Sequence, residues 1–303
     1  MQKALFLLVF SILFPLIGYG QNRQREVAVT FDDLPATHGN YTKYKYITDN
    51  LLAKLRTEKV PAIGFVNESK LFVYAEIDKH IALLKQWLDE GHDLGNHTFS
   101  HISIDQSTFE QYTEDLVRGE TVTKLLLAEK GQKLKFYRHT QLRTGPTEEY
   151  RQKLADFLTK KGYKTAPVTI DNNDYIFALA YSRAKEKGDD VLQKKIVTAY
   201  IEYMSKIFEH FENLSVEFLG YEVKQTLLLH ANEINADHFD KLAQMLRKRG
   251  YKFITLEEAL KDGAYKLPEA RSTRGLSWLH RWMLAKGLEM KEEPSEPAWI
   301  RGI

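Results

Sequence analysis

Val27-Ala28-Val29-Thr30-Phe31 runs directly into Asp32-Asp33-Leu34-Pro35 near the start of the chain, and this join of an apolar run to two acids decides the fold class. The run reads as a strand, rich in β-branched and aromatic side chains. The acids then stand at its C-terminal end, where parallel α/β folds assemble their active sites. Adjacent side chains on an extended segment point in different directions, so Asp32 and Asp33 can serve different roles.

Working outward, the same alternation repeats. Ala62-Ile63-Gly64-Phe65-Val66 reads as a second strand, Asp93 to Asn96 as a short third, and Lys135 to Arg138 as a fourth. Thr226 to His230 is the most apolar late strand, and Tyr251 to Thr255 closes the series. Between them lie helical spacings: Ile47, Leu51, Leu52 and Leu55, then Ile81, Leu84 and Leu88, with Gly91 placed to end that helix in a left-handed conformation. One long helix is expected from about 108 to 128, carrying Phe109, Tyr112, Leu116 and Leu125 inward. Phe239, Leu242, Ala243 and Leu246 mark a core-facing helix late in the chain. Repeated β–α units of this kind predict an α/β fold around a mainly parallel sheet. Residues 181–215 read as charged helical elaboration between two strands. Residues 266–303, with Trp278, Trp282 and Trp299, form a C-terminal tail without a motif of its own.

Composition removes several classes of function. The chain has 303 residues and no cysteine, which excludes a disulfide scaffold, a thiol nucleophile, an iron–sulfur cluster and cysteine-ligated zinc. Its 43 Lys+Arg against 41 Asp+Glu give no reason to expect nucleic-acid binding. Hydrophobic content of 43% is enough for a large core and excludes global disorder. Met1-Gln2-Lys3, the apolar run Ala4 to Ile17 and Gly18-Tyr19-Gly20 read as a cleavable signal peptide over residues 1–20. That run is shorter than the ~20 apolar residues a membrane span needs. The expectation is an exported chain, periplasmic or secreted in a bacterial envelope, with no stable membrane span after cleavage.

Four sites place ionisable residues at predicted strand ends. Besides Asp32-Asp33, these are His97-Thr98-Phe99-Ser100-His101, Phe136-Tyr137-Arg138 and Leu227-Leu228-Leu229-His230. Histidines at i and i+4 share one face of a helical turn and can hold one divalent metal. Adding one carboxylate makes a facial His₂Asp set with open positions, the arrangement of a hydrolytic site. A metal there polarises a carbonyl and acidifies water, and a second carboxylate takes the proton. Arg138 can pair with a carboxylate and set its ionisation and direction. His230 can protonate a leaving amine or alcohol. His38, His92, His139 and His238 lack this placement and read as structural or solvated.

These residues, from about Val27 to Leu260, resemble the polysaccharide deacetylase family, the NodB-homology or carbohydrate esterase 4 enzymes. The resemblance implies a distorted (β/α)₇ barrel over residues 22–265 as a single catalytic domain. It implies Asp32 as catalytic base, and Asp33, His97 and His101 as ligands of a divalent metal, usually zinc. The third motif, Arg-x-Pro-aromatic in the family, reads Arg138-His139-Thr140-Gln141 here; Arg138 would orient Asp32, and the Gln141 amide would hold the oxyanion. Asp171-Asn172-Asn173-Asp174-Tyr175 is similar to the fourth motif, which implies that Asp174 raises the basicity of His230 and that Tyr175 lines the acetyl pocket. The fifth implies Leu228 as pocket wall and His230 as catalytic acid. The expected activity is removal of N-acetyl, or O-acetyl, groups from an acetylated glycan or a small acetylated substrate. Two further readings fit the same residues: an envelope protein that keeps carbohydrate binding without turnover, and a metal-dependent amidase on small cyclic amides with 181–215 narrowing its groove.

Overall fold

The computed structural model describes residues 24–303, so the expected signal segment at 1–20 lies outside the described residues. β1 (Arg25–Leu34) leads into α1 (Tyr41–Thr57), β2 (Ala62–Val66), α2 (Ile77–Asp89) and β3 (Asp93–Asn96). Next come α3 (Phe109–Arg118), α4 (Thr121–Glu129), β4 (Phe136–Tyr137), α5 (Glu148–Lys160) and β5 (Lys164–Thr165). They are followed by α6 (Asp174–Glu186), α7 (Asp190–Leu219), β6 (Gln225–His230), α8 (Glu233–Lys248) and β7 (Tyr251–Ile254). The chain ends with α9 (Leu256–Ala259), α10 (Trp278–Ala285) and α11 (Ala298–Arg301).

Among the described residues the strands form one parallel sheet ordered β5-β4-β3-β2-β1-β6, with β7 also paired to β1. This is the distorted (β/α)₇ barrel expected from the sequence. β1 is its hub, because Val27 to Phe31 is buried and pairs with three strands. Register aligns the strand ends: Asp32 stands opposite His230, Leu34 opposite Val66, and Asn96 opposite both Val66 and Tyr137. The acids and histidines that follow these ends are thereby delivered to one face of the barrel.

Helices close the outside by burying one stripe each. Ile47, Leu51, Leu52 and Leu55 of α1 and Phe239, Leu242, Ala243 and Leu246 of α8 are all buried in one core. Each large side chain so removed from water contributes about 1.5–3 kcal/mol. Gly91 takes φ 83°, as its place after α2 predicts.

The expected single helix over 108–128 is instead two, α3 and α4, broken at Gly119-Glu120. The Asp115 carbonyl accepts from the Gly119 amide and from the Phe99 amide, both at 3.0 Å, so the end of α3 docks on the loop after β3. The break also turns Leu125 outward, 63% exposed, against the inward expectation. β5 escaped the sequence reading because it is two residues long and Lys164 is exposed, which leaves no hydrophobic run. Among the described residues no helix is long and apolar enough to cross a membrane.

Candidate metal centre and active-site cavity

One cavity of about 590 Å³ opens at the aligned strand ends. Asp32, Asp33, His97, His101, Gln141, Tyr175, Leu228 and His230 all line it. Arg138 and Asp174, both 0% exposed, stand behind the wall instead.

Asp33 follows the last regular pairs of β1 and adopts φ 70°, and both acids reach His97 Nε2, Asp32 Oδ2 at 3.6 Å and Asp33 Oδ1 at 3.9 Å. The 97–101 segment is not a helical turn, as the i, i+4 spacing had suggested. Thr98 and His101 take φ 64° and 57°, and this tight loop brings the two imidazole rings to 4.9 Å. Side chains pay for what the backbone gives up: Asn96 accepts from the Thr98 amide at 2.7 Å, and Asn67 donates to the His97 carbonyl at 2.6 Å. With Gln141 and Leu142 at φ 53° and 52°, five of the seven positive-φ non-glycine residues among those described surround this cavity. Such conformations cost about 1–3 kcal/mol each and persist only where the surroundings enforce them.

Asp33, His97 and His101 offer ligand atoms within 4.8 Å of one another. Burial, reinforced by His101, holds His97 well below the usual imidazole range. His101 is lowered as well, again by burial. Both are therefore neutral imidazoles near neutral pH, the form that binds metals. His97 Nδ1 donates to the Arg138 carbonyl at 3.0 Å, which leaves Nε2 as the free lone pair facing the carboxylates. Burial would raise Asp33, but Lys70 and then the histidines outweigh it and keep the carboxylate ionised. Asp33 Oδ1 is buried without a hydrogen-bond partner in the protein. Two neutral imidazoles and one ionised carboxylate with an unclaimed oxygen fit a divalent metal.

Asp32 is 3% exposed, and burial pushes its carboxyl up to about 6 against the opposing pull of Arg138. The arginine is held at arm's length: Nε is 3.9 Å from Asp32 Oδ1, while Nη2 donates to Thr30 Oγ1 at 2.8 Å. It biases Asp32 by charge rather than by a direct hydrogen bond. A carboxylate poised near 6 matches proton abstraction near neutral pH. On the neighbouring strand, in register with Asp32, His230 Nδ1 meets Asp174 Oδ1 at 2.6 Å. Burial disfavours the imidazolium, yet the charge and hydrogen bond of Asp174 win and raise His230 to about 9. The Tyr175 ring, 52% exposed, lies edge-on to that of His230 at 6.2 Å.

Several contributors had no signal in the sequence. Lys70, from the turn after β2, donates to the Asp33 carbonyl at 3.0 Å and sits 3.6 Å from its Oδ1. Asn232 and Asn235 donate to Asp174 Oδ2 at 3.0 and 2.8 Å, although Asn232 is legible as the cap of α8. His38 lines the cavity despite lacking a strand-end position, and so does Asp171, which burial and Glu293 raise to about 7. Segment 181–215 contributes no lining residue. It supports the site from behind, with Tyr200 donating to Asn235 and Tyr203 accepting from the Asn173 amide.

Residues 19–166 match the polysaccharide deacetylase family profile. Two peptidoglycan-N-acetylglucosamine deacetylases of Bacillus cereus are each 30% identical to the chain, one over 99 residues and one over 107. These stretches cover 33% and 35% of this chain and only 40% and 34% of the relatives' own lengths. Among solved structures, a carbohydrate esterase 4 family pseudoenzyme from Bacillus anthracis shares 15% identity over 78% of this chain and 66% of its own, with a TM-score of 0.51. A mutant pseudoenzyme of that family with restored enzymatic activity shares 17% identity over 78% of this chain and 68% of its own, also at 0.51. At these identities the structures establish a shared fold.

Proposed function

We propose that the chain, whose residues 19–166 match the polysaccharide deacetylase profile, is a deacetylase that hydrolyses the acetamido group of an N-acetylated sugar to acetate and a free amine. The observation that carries this reading is the joint placement of the Asp33, His97 and His101 ligand set with Asp32 and His230 around one cavity. Both Bacillus cereus relatives are named for N-acetylglucosamine removal from peptidoglycan, which supports an acetylated envelope glycan as the substrate class.

Asp33, His97 and His101 would hold the divalent metal, which we propose is zinc. When bound, the metal supplies Lewis-acid polarisation of the acetyl carbonyl and acidification of water. Asp32 then takes the proton of the attacking water, with its carboxyl near 6 suited to the task. The Gln141 backbone amide donates to the developing oxyanion. His230, charged up to about 9, gives its proton to the departing nitrogen. Leu228 and Tyr175 wall the space for the acetyl group. An ester would meet the same groups, so O-deacetylation falls within the same chemistry. Export to the bacterial envelope, with residues 1–20 as signal peptide, places the protein beside such glycans.

The test is a screen of zinc-reconstituted protein against chitooligosaccharides, peptidoglycan and acetylated xylan, with loss of one acetyl group read by mass spectrometry. Acetyl loss that disappears in Asp32→Asn supports the reading. Fully metal-loaded protein that leaves every substrate intact overturns it.

A further inference from the structure

Gln141 and Leu142 are held in left-handed conformations that cost free energy. What holds them comes from the far end of the chain. Arg281 on α10 is 0% exposed and donates from Nη2 to the Leu142 carbonyl at 2.6 Å. Its Nη1 donates to the Ala270 carbonyl at 3.1 Å and to Thr144 Oγ1 at 3.3 Å, and its Nε to the Leu276 carbonyl at 3.4 Å. One planar guanidinium thus ties the end of the 138–144 loop to the tail. The tail is in turn anchored to the barrel, because the Trp278 amide donates to the Val168 carbonyl at 2.7 Å and Ser277 Oγ to the Thr169 carbonyl at 2.7 Å.

The second contact is steric. Gly275 lines the cavity and lies so close to Gln141 that a Cβ there would fall under 3.0 Å from the Gln141 carbonyl oxygen. The His139 ring, two residues earlier in the loop, stacks on Trp278 at 6.3 Å.

We propose that Arg281 and Gly275, from the segment that carries no family motif, are positioning residues that set the Gln141 amide as an oxyanion donor. The inference rests on the deacetylase reading for its catalytic consequence, but its structural content stands apart from that reading.

Two variants and two measurements test it. Gly275→Ala adds only a methyl group against Gln141, and Arg281→Lys keeps charge while losing the planar fork. In both, kcat is expected to fall roughly 10²-fold with KM little changed, the mark of an interaction made in the transition state. Zinc content should stay at the wild-type level. Amide hydrogen exchange of the peptide spanning 138–144 should quicken in Arg281→Lys and change in Gly275→Ala, while the strands stay protected. Wild-type exchange and kcat within about twofold in both variants overturns the proposal and leaves the deacetylase reading intact. Should the wild type release no acetate at all, the deacetylase reading fails, and the exchange measurement alone decides whether the tail holds the loop.

Discussion

His230 and Asp174 form a doubly bonded pair: the imidazole Nδ1 meets Oδ1 at 2.6 Å, and the backbone amide of the same histidine donates to Oδ2 at 2.9 Å. Asn232 and Asn235 complete the carboxylate's partners. The His230 imidazole, register neighbour of Asp32, is therefore fixed in direction as well as in charge.

That pair predicts a pH profile. An acid must be protonated to act, so activity should persist through neutral pH and fall as pH rises through about 9. In Asp174→Asn burial remains while the supporting charge is gone, and the alkaline limb should move to the ordinary histidine value of 6.5 or below. The folded value lies above the unfolded one, so the pair stabilises the fold fully below about 6.5 and loses that contribution as pH rises through about 9. Kinetics and thermal unfolding between pH 6 and 10 check both statements; an alkaline limb that does not move in Asp174→Asn would refute the assignment.

Asp32→Asn should lower turnover by roughly 10²–10⁴-fold while zinc binding persists, because the ligand set excludes this residue. Acetate release and metal content on one preparation separate the two effects. Loss of zinc in this variant would show that Asp32 is a ligand rather than the base.

Wild-type protein should bind one divalent ion per chain. Removing an outer partner of a ligand costs about 10–100-fold in metal affinity, so deleting a ligand in His101→Ala should cost more than that. His38→Ala, at another cavity histidine, should bind zinc as the wild type does. Calorimetric titration of the three proteins decides, and equal losses in both variants would remove the distinction drawn between these histidines.

Gly119→Ala sets propensity against contact. Alanine favours helix by about 1 kcal/mol over glycine and here meets no left-handed backbone. Its Cβ, however, would lie 2.5 Å from the Phe99 amide nitrogen and the Thr98 carbonyl carbon, inside the loop that carries both histidines. Overpacking of this kind costs about 1–3 kcal/mol, so the variant should be less stable to urea and bind zinc more weakly. A stabilised variant with unchanged zinc affinity would show that the loop yields freely.

The pattern of apolar runs and helical spacings determined an α/β fold around a parallel sheet, the family resemblance implied its barrel form, and the residues following those runs marked Asp32, Asp33, His97, His101 and His230, which line one cavity. Both are legible because periodicity and strand-end position are local properties of the chain. Where local pattern was the whole argument it also misled. His-x₃-His reads as a helical turn, but His97 and His101 sit on a loop with left-handed residues whose shape depends on Asn67, Asn96 and the end of α3. Leu125 fits a helical stripe that the docking of Gly119 interrupts.

Only the tertiary structure decided how the groups are tuned. Lys70 reaches Asp33 across 37 residues, Arg138 reaches Thr30 across 108, and Arg281 reaches Leu142 across 139. Burial raises Asp32 to about 6, whereas a charged neighbour overcomes burial and raises His230 to about 9. Charge and solvent exclusion act through space over a few ångströms, and the chain order of the residues concerned carries no record of which will become neighbours.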